Sequence, residues 1–152
     1  MQASNLRGSA ADTSDIAALR AIAHEFTEGW NSGDVDRIMR FYGERYVDIN
    51  LRQPIQTQEE RRQYYLDVMQ RRRIRIDVRP DEILLEGSLA FIRGTIEISS
   101  PDNSRTELRY LEIARKTSDD LGSMSGAWMV QYKSTNPCDP GLRSIWGGAM
   151  SG

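Results

Sequence analysis

The chain changes its hydrophobic period near its middle, and that change limits the folds open to it. Up to about Arg72 apolar residues recur mostly at helical spacing, and from Ile74 onward they alternate. In the first part Ile16, Leu19, Ile22, Ala23, Phe26 and Trp30 form one stripe, with Asp15, Arg20, Glu25 and Glu28 on the other side. Asn31-Ser32-Gly33 stops this helix. Asp34 can then cap a second, shorter one reaching Tyr42, with Val35, Ile38, Met39 and Tyr42 as its apolar stripe. A strand is expected over Tyr46–Leu51, and Thr57-Gln-Glu-Glu60 is a capping box that starts a third helix, running to about Arg72.

The second half reads as strands. Ile74, Ile76 and Val78 alternate with Arg75, Asp77 and Arg79 until Pro80-Asp81 breaks the run. Ile83–Leu85, the turn Glu86-Gly87-Ser88 and Leu89–Ser99 form a hairpin, and Pro101-Asp102-Asn103-Ser104 turns the chain into Thr106–Lys116. Ala127–Ser134 is the last strand. Helices followed by antiparallel strands predict an α+β fold, a curved antiparallel sheet whose concave side is closed into a cone by about three N-terminal helices. The expected organisation is a flexible leader over 1–13, one domain over 14–134, and a Pro- and Gly-rich tail over 135–152. In that tail Leu142, Ile145 and Trp146 offer apolar cover for the pocket mouth or a neighbour.

Composition narrows the function classes. The single Cys excludes an internal disulfide and suits a cytoplasmic location, and with one His it excludes a zinc site built from those ligands. Against 22 acidic residues, 20 Lys and Arg leave a net charge of −2, so no overall field draws a polyanion or a membrane surface. Arg61, Arg62, Arg71, Arg72, Arg73, Arg75 and Arg79 read as surface charge near Glu59, Glu60 and Asp67 and at a helix C-terminus, not as a nucleic-acid patch. No apolar run is long enough to span a bilayer. His24 should face solvent, and Cys138 has no nearby His to activate it.

A cone of this kind encloses a site suited to small ligands. Asp48 and Asn50 share a strand face with Tyr46, but the opposite face of Val47, Ile49 and Leu51 is equally able to be the core. Asp48 is therefore either a pocket carboxylate or a solvated one. Arg93 lies on the face of Phe91, Thr95 and Glu97, opposite Ile92, Ile96 and Ile98. A guanidinium buried there needs Asp48, Glu107, Glu112 or an anionic ligand; otherwise it is a surface ion pair. Two faces of 106–116 also stay open, one with Tyr110 and Glu112 and the other with Glu107 and Arg109. The catalytic assignment that follows gives Asp48 as base, Arg93 as the group facing developing enolate charge, and Tyr110 or Glu112 as proton donor. Phe26, Trp30, Tyr42, Tyr46, Asn50 and Trp128 are the expected ligand-binding set. Protein groups suffice for such chemistry, so no metal or redox cofactor is expected.

The string from Phe26 to Asp36 with Trp30-Asn31-Ser32-Gly33-Asp34, followed by Phe41-Tyr42-Gly43-Glu44, resembles the start of a nuclear transport factor 2-like domain, in the SnoaL-like and ketosteroid-isomerase-like group. Leu89–Thr95 is similar to the strand carrying an interior arginine in the association domain of calmodulin-dependent kinase, and Trp128-Met129-Val130 to the closing strand. The resemblance spans roughly Ser14 to Ser134. It implies the cone, a deep pocket and a homodimer formed through the outer sheet face. The positions matching the ketosteroid isomerase tyrosine and aspartate base are Phe26 and Asn50, which can neither donate that hydrogen bond nor abstract a proton. Steroid isomerisation is therefore not expected. The Asp-Arg-Asp set of limonene-epoxide hydrolase has only a loose echo in Asp48, Arg93 and Glu112. The reading that results is a pocket protein for a small organic molecule, an anionic one if Arg93 lines the cavity, acting as a cofactor-independent isomerase, cyclase or dehydratase. The rival reading is a non-catalytic binding or association module dimerising through its sheet.

Overall fold

The computed structural model describes residues 10–48, 55–117 and 128–137. Helix α1 (Ala10–Ser32) is followed by α2 (Val35–Met39), β1 (Tyr42–Asp48), β2 (Ile55–Thr57) and α3 (Gln58–Arg72). Four long strands complete the fold, β3 (Arg75–Glu86), β4 (Leu89–Ser99), β5 (Arg105–Lys116) and β6 (Trp128–Pro137). With β1 and β2 they form one six-stranded sheet in the order β2-β1-β6-β5-β4-β3. All pairs are antiparallel except β1 with β6, which is parallel.

Local signals set several boundaries. Thr57 accepts from the Glu60 backbone while the Glu60 carboxylate accepts from the Thr57 N–H, so the capping box closes in both directions. Asp34 caps α2 by accepting from Arg37 N. The structure departs from expectation at four places. α1 begins at Ala10, where two alanines and Asp12 favour a helical first turn. The strand after α2 starts at Tyr42, because the buried Tyr42 pairs with Val130 of β6. Pro80 does not break β3: it sits on an edge strand, where no N–H is owed, and the register shift between Pro80 and Glu82 absorbs Asp81. β6 continues past Ser134, pairing through Pro137.

The β3 edge is covered by α1, in place of another strand. Asn31 donates to Ile76 O and accepts from Ile76 N, Thr27 Oγ1 accepts from Val78 N, and Trp30 Nε1 donates to Ile74 O. Four backbone groups that would otherwise template intermolecular pairing are thereby satisfied. Asn31→Leu strips two of these bonds at once. It is expected to cost about 2 kcal/mol, read from the urea midpoint, and to promote self-association.

The core lies between the helices and the concave side of the sheet. β4 presents Ala90, Ile92, Ile96 and Ile98 inward, and β5 presents Leu108, Tyr110, Glu112 and Ala114. Gly94 is required between them: a side chain there would run into the Arg79 carbonyl and the Tyr110 ring, whose nearest atoms lie 2.7 Å from where its Cβ would sit. At the far end Asp15 of α1 accepts from Lys116 Nζ at 2.9 Å and from Trp128 Nε1 at 3.1 Å, tying the helix to β5 and β6. Partial burial works to raise the Asp15 pKa, but the two hydrogen bonds and the Lys116 charge prevail and hold it below the usual carboxylate value.

Candidate functional site

Among the described residues, the interior of the cone holds four buried charges. Asp48 ends β1, Lys133 lies on β6 and Glu112 on β5, and the pairings Asp48 with Lys133 and Lys133 with Glu112 place all three in one cross-strand row. Arg61 comes down onto this row from α3. Its Nη2 lies 3.2 Å from Asp48 Oδ2, and Lys133 Nζ lies 2.9 Å from Glu112 Oε1. The arginine and lysine side chains are only 3% and 5% exposed.

Aromatic rings surround the charges. Arg61 stacks over Tyr64 and Tyr65, with 4.9 and 4.4 Å from its guanidinium carbon to the ring centres. It also donates to Tyr65 Oη at 2.9 Å, and Tyr65 donates on to Tyr42 Oη at 3.0 Å. Each bond polarises the next, so the charge of Arg61 is felt at Tyr42. The Lys133 ammonium lies 4.6 Å from the centre of the Phe26 ring and 5.4 Å from that of Tyr110. Phe26 and Trp30 stack, and Tyr65 meets both edge-on.

These surroundings fix protonation states. Complete burial pulls the Lys133 pKa down, but the Glu112 carboxylate beside it outweighs that penalty and leaves it above the free-lysine value, so the group stays an ammonium. Burial pushes the Tyr64 phenol up to about 12 and raises that of Tyr110 as well, so both remain protonated donors near neutrality.

Arg93 requires a correction. It points to the outer face, 60% exposed, and its Nε donates to Glu82 at 3.0 Å. The period of two explains this: with Ala90, Ile92, Ile96 and Ile98 buried, Arg93 must emerge on the opposite side. It meets neither Asp48 nor Glu112. Tyr110, Glu112 and Asp48 face inward, with Arg61 standing opposite Asp48. Phe26, Trp30 and Tyr42 lie in the aromatic cluster, whereas Trp128 is at the Asp15 end of the sheet. Asn50 lies outside the described residues, as do the Tyr46 side chain, Cys138 and the tail residues Leu142, Ile145 and Trp146.

Arg61 and Lys133 were not legible as site residues. For Arg61, read as surface charge, a signal existed: it is one and two turns from Tyr65 and Val68, the buried stripe of α3. Lys133 gave none. Trp128 and Val130 face inward by alternation, which would send Lys133 outward, but β6 skips Gln131 between its pairings with Ala114 and Ile113 and reverses phase.

Residues 23–121, well over half of the chain, match the sequence profile of the SnoaL-like domain. The chain belongs to the SnoaL-like domain family. Solved structures agree with this SnoaL-like assignment at the level of fold. A cystatin-like-fold domain of unknown function from Nostoc punctiforme is 15% identical, with a TM-score of 0.68 over 82% of this chain and 77% of its own. A ketosteroid isomerase-like protein from Erwinia carotovora atroseptica is 17% identical, with a TM-score of 0.63 over 83% and 98%. A nuclear transport factor 2-like protein of unknown function from Shewanella oneidensis is 17% identical, with a TM-score of 0.61 over 81% and 97%. No curated protein matches the chain. None of the described helices of this SnoaL-like protein is long and apolar enough to cross a membrane.

Proposed function

We propose that this SnoaL-like protein binds a small, uncharged organic molecule inside its cone and moves protons on it, as an isomerase, cyclase or dehydratase would. The observation that carries the reading is the buried charge row of Asp48, Lys133 and Glu112 with Arg61 above it. Two buried ion pairs rarely stabilise a small domain more than apolar side chains of the same volume, so their presence argues for a chemical task. Asp48 is the base and, once protonated, the group that returns the proton, with the buried Tyr110 phenol as a further donor, whereas Glu112 is engaged as a carboxylate by Lys133. Among the described residues the interior charges balance, two against two, which favours a neutral ligand over the anionic one that an interior Arg93 would have held.

The test is to release small molecules from the purified protein by denaturation, identify them by mass spectrometry, and return them to the protein in heavy water. Exchange of a carbon-bound proton that disappears in Asp48→Asn supports the reading. An empty protein, or exchange indifferent to Asp48, sinks it.

A second reading rests on the outer face, where Leu84, Phe91 and Leu111 are 57%, 38% and 46% exposed on three adjacent strands. With Glu82 and Arg93 they line a concavity of about 270 Å³. An apolar cluster rimmed by charge suits a second copy of the chain, as in a homodimer built through the sheet. Leu111→Lys should then halve the mass measured by sedimentation velocity; a wild-type monomer at micromolar concentration would remove this reading.

A further inference from the structure

Resting on the interior site proposed above, we infer that Lys133 is the group that meets the ligand's oxygen, taking the part that Arg93 was expected to play. The argument is one of valence and position. An ammonium has three N–H donors, and among the described residues Lys133 gives a hydrogen bond only to Glu112. Its other contacts are the faces of Phe26 and Tyr110, which attract the charge without serving as oxygen acceptors. Donor capacity therefore remains inside the cone, flanked by flat rings.

Position makes that capacity useful. Lys133 and Asp48 are register partners on adjacent strands, so their backbones are separated by about 5 Å. A base that removes a proton next to a carbonyl and a donor that receives the resulting oxyanion must act on neighbouring atoms of one molecule. Adjacent positions in a cross-strand row meet that requirement. In the step, Asp48 takes the carbon-bound proton, the electron pair of the broken C–H bond moves to the carbonyl oxygen as enolate, and Lys133 stabilises that charge through its N–H groups. The proton returns from Asp48 to a carbon of the same molecule, so nothing external is consumed. Glu112 is a positioning residue, holding the ammonium charged and aimed into the row. The substrate class this selects is an uncharged, flat ketone or enol.

Para-nitrophenol serves as probe, because its phenolate mimics an enolate and is coloured while the phenol is not. Binding is measured by calorimetry and the protonation state by absorbance across pH. Wild type should bind the phenolate in preference to the phenol, lowering its apparent pKa, and Glu112→Gln should do so more weakly, because burial then discharges Lys133 more readily. The double variant Lys133→Met/Glu112→Gln, which avoids leaving a bare buried carboxylate, should lose about tenfold in phenolate affinity and abolish the pKa shift. Circular dichroism of both variants checks that the fold is retained. Equal binding and equal ionisation in wild type and the double variant would overturn the role of Lys133 while leaving the interior site standing. Failure of the wild type to bind the probe would overturn both.

Discussion

Asp48→Asn should reduce turnover about 10²–10⁴-fold and lower stability by about 3–5 kcal/mol. The two effects have different causes, and a second substitution separates them. An asparagine cannot accept a proton, which removes the base. It also removes the negative charge that faces the Arg61 guanidinium, 3.2 Å away and almost wholly buried. Loss of turnover in Asp48→Asn alone would therefore not tell a missing base from a weakened fold. Arg61→Gln added to Asp48→Asn deletes both charges and should recover most of the stability, measured by urea unfolding, while turnover stays absent. Recovery of turnover with stability would show that Asp48 supports the structure alone. Arg93→Ala is the control: its pair with Glu82 is exposed, and the change should stay within about 0.5 kcal/mol.

Tyr65→Ala should destabilise the fold by about 3–5 kcal/mol, the range for truncating a large buried aromatic. Tyr65 is 1% exposed and lies where α1, α3 and β1 converge, against Phe26, Trp30, Tyr42 and Tyr64. Tyr65→Phe keeps those ring contacts and removes only the hydroxyl between Arg61 and Tyr42. Its cost should be about 2 kcal/mol, as for two hydrogen bonds. Thermal unfolding of the pair apportions the cluster between packing and polar linkage. A loss in Tyr65→Phe as large as in Tyr65→Ala would mean that the hydroxyl, and not the ring, holds this corner together.

Much of the architecture was legible because it rests on local rules. The capping box at Thr57, the cap at Asp34 and the hairpin at Gly87 are each decided within a few residues, and each occurs where its residue types occur. The face of β4 was nearly legible as well: three isoleucines on one side of a strand outweigh a single arginine on the other. What misled the assignment of Arg93 was the rarity of a charge in such a run, which says nothing about direction. Strand β5 shows the limit of this reasoning. Both of its faces carry apolar and acidic residues, so alternation alone could not choose between Tyr110 with Glu112 and Glu107 with Arg109.

The amino-acid order by itself therefore determined the elements and the layered α+β arrangement, since period, caps and turns act over distances of a few residues. Tertiary structure alone decided which charges went inside. The skipped residue in β6 turned Lys133 inward, the parallel pairing of β1 with β6 set Asp48 beside it, and the packing of α3 across the sheet brought Arg61 onto both. Those three events join residues far apart in the chain, and the free energy that fixes them comes from closing one core, which no local pattern encodes.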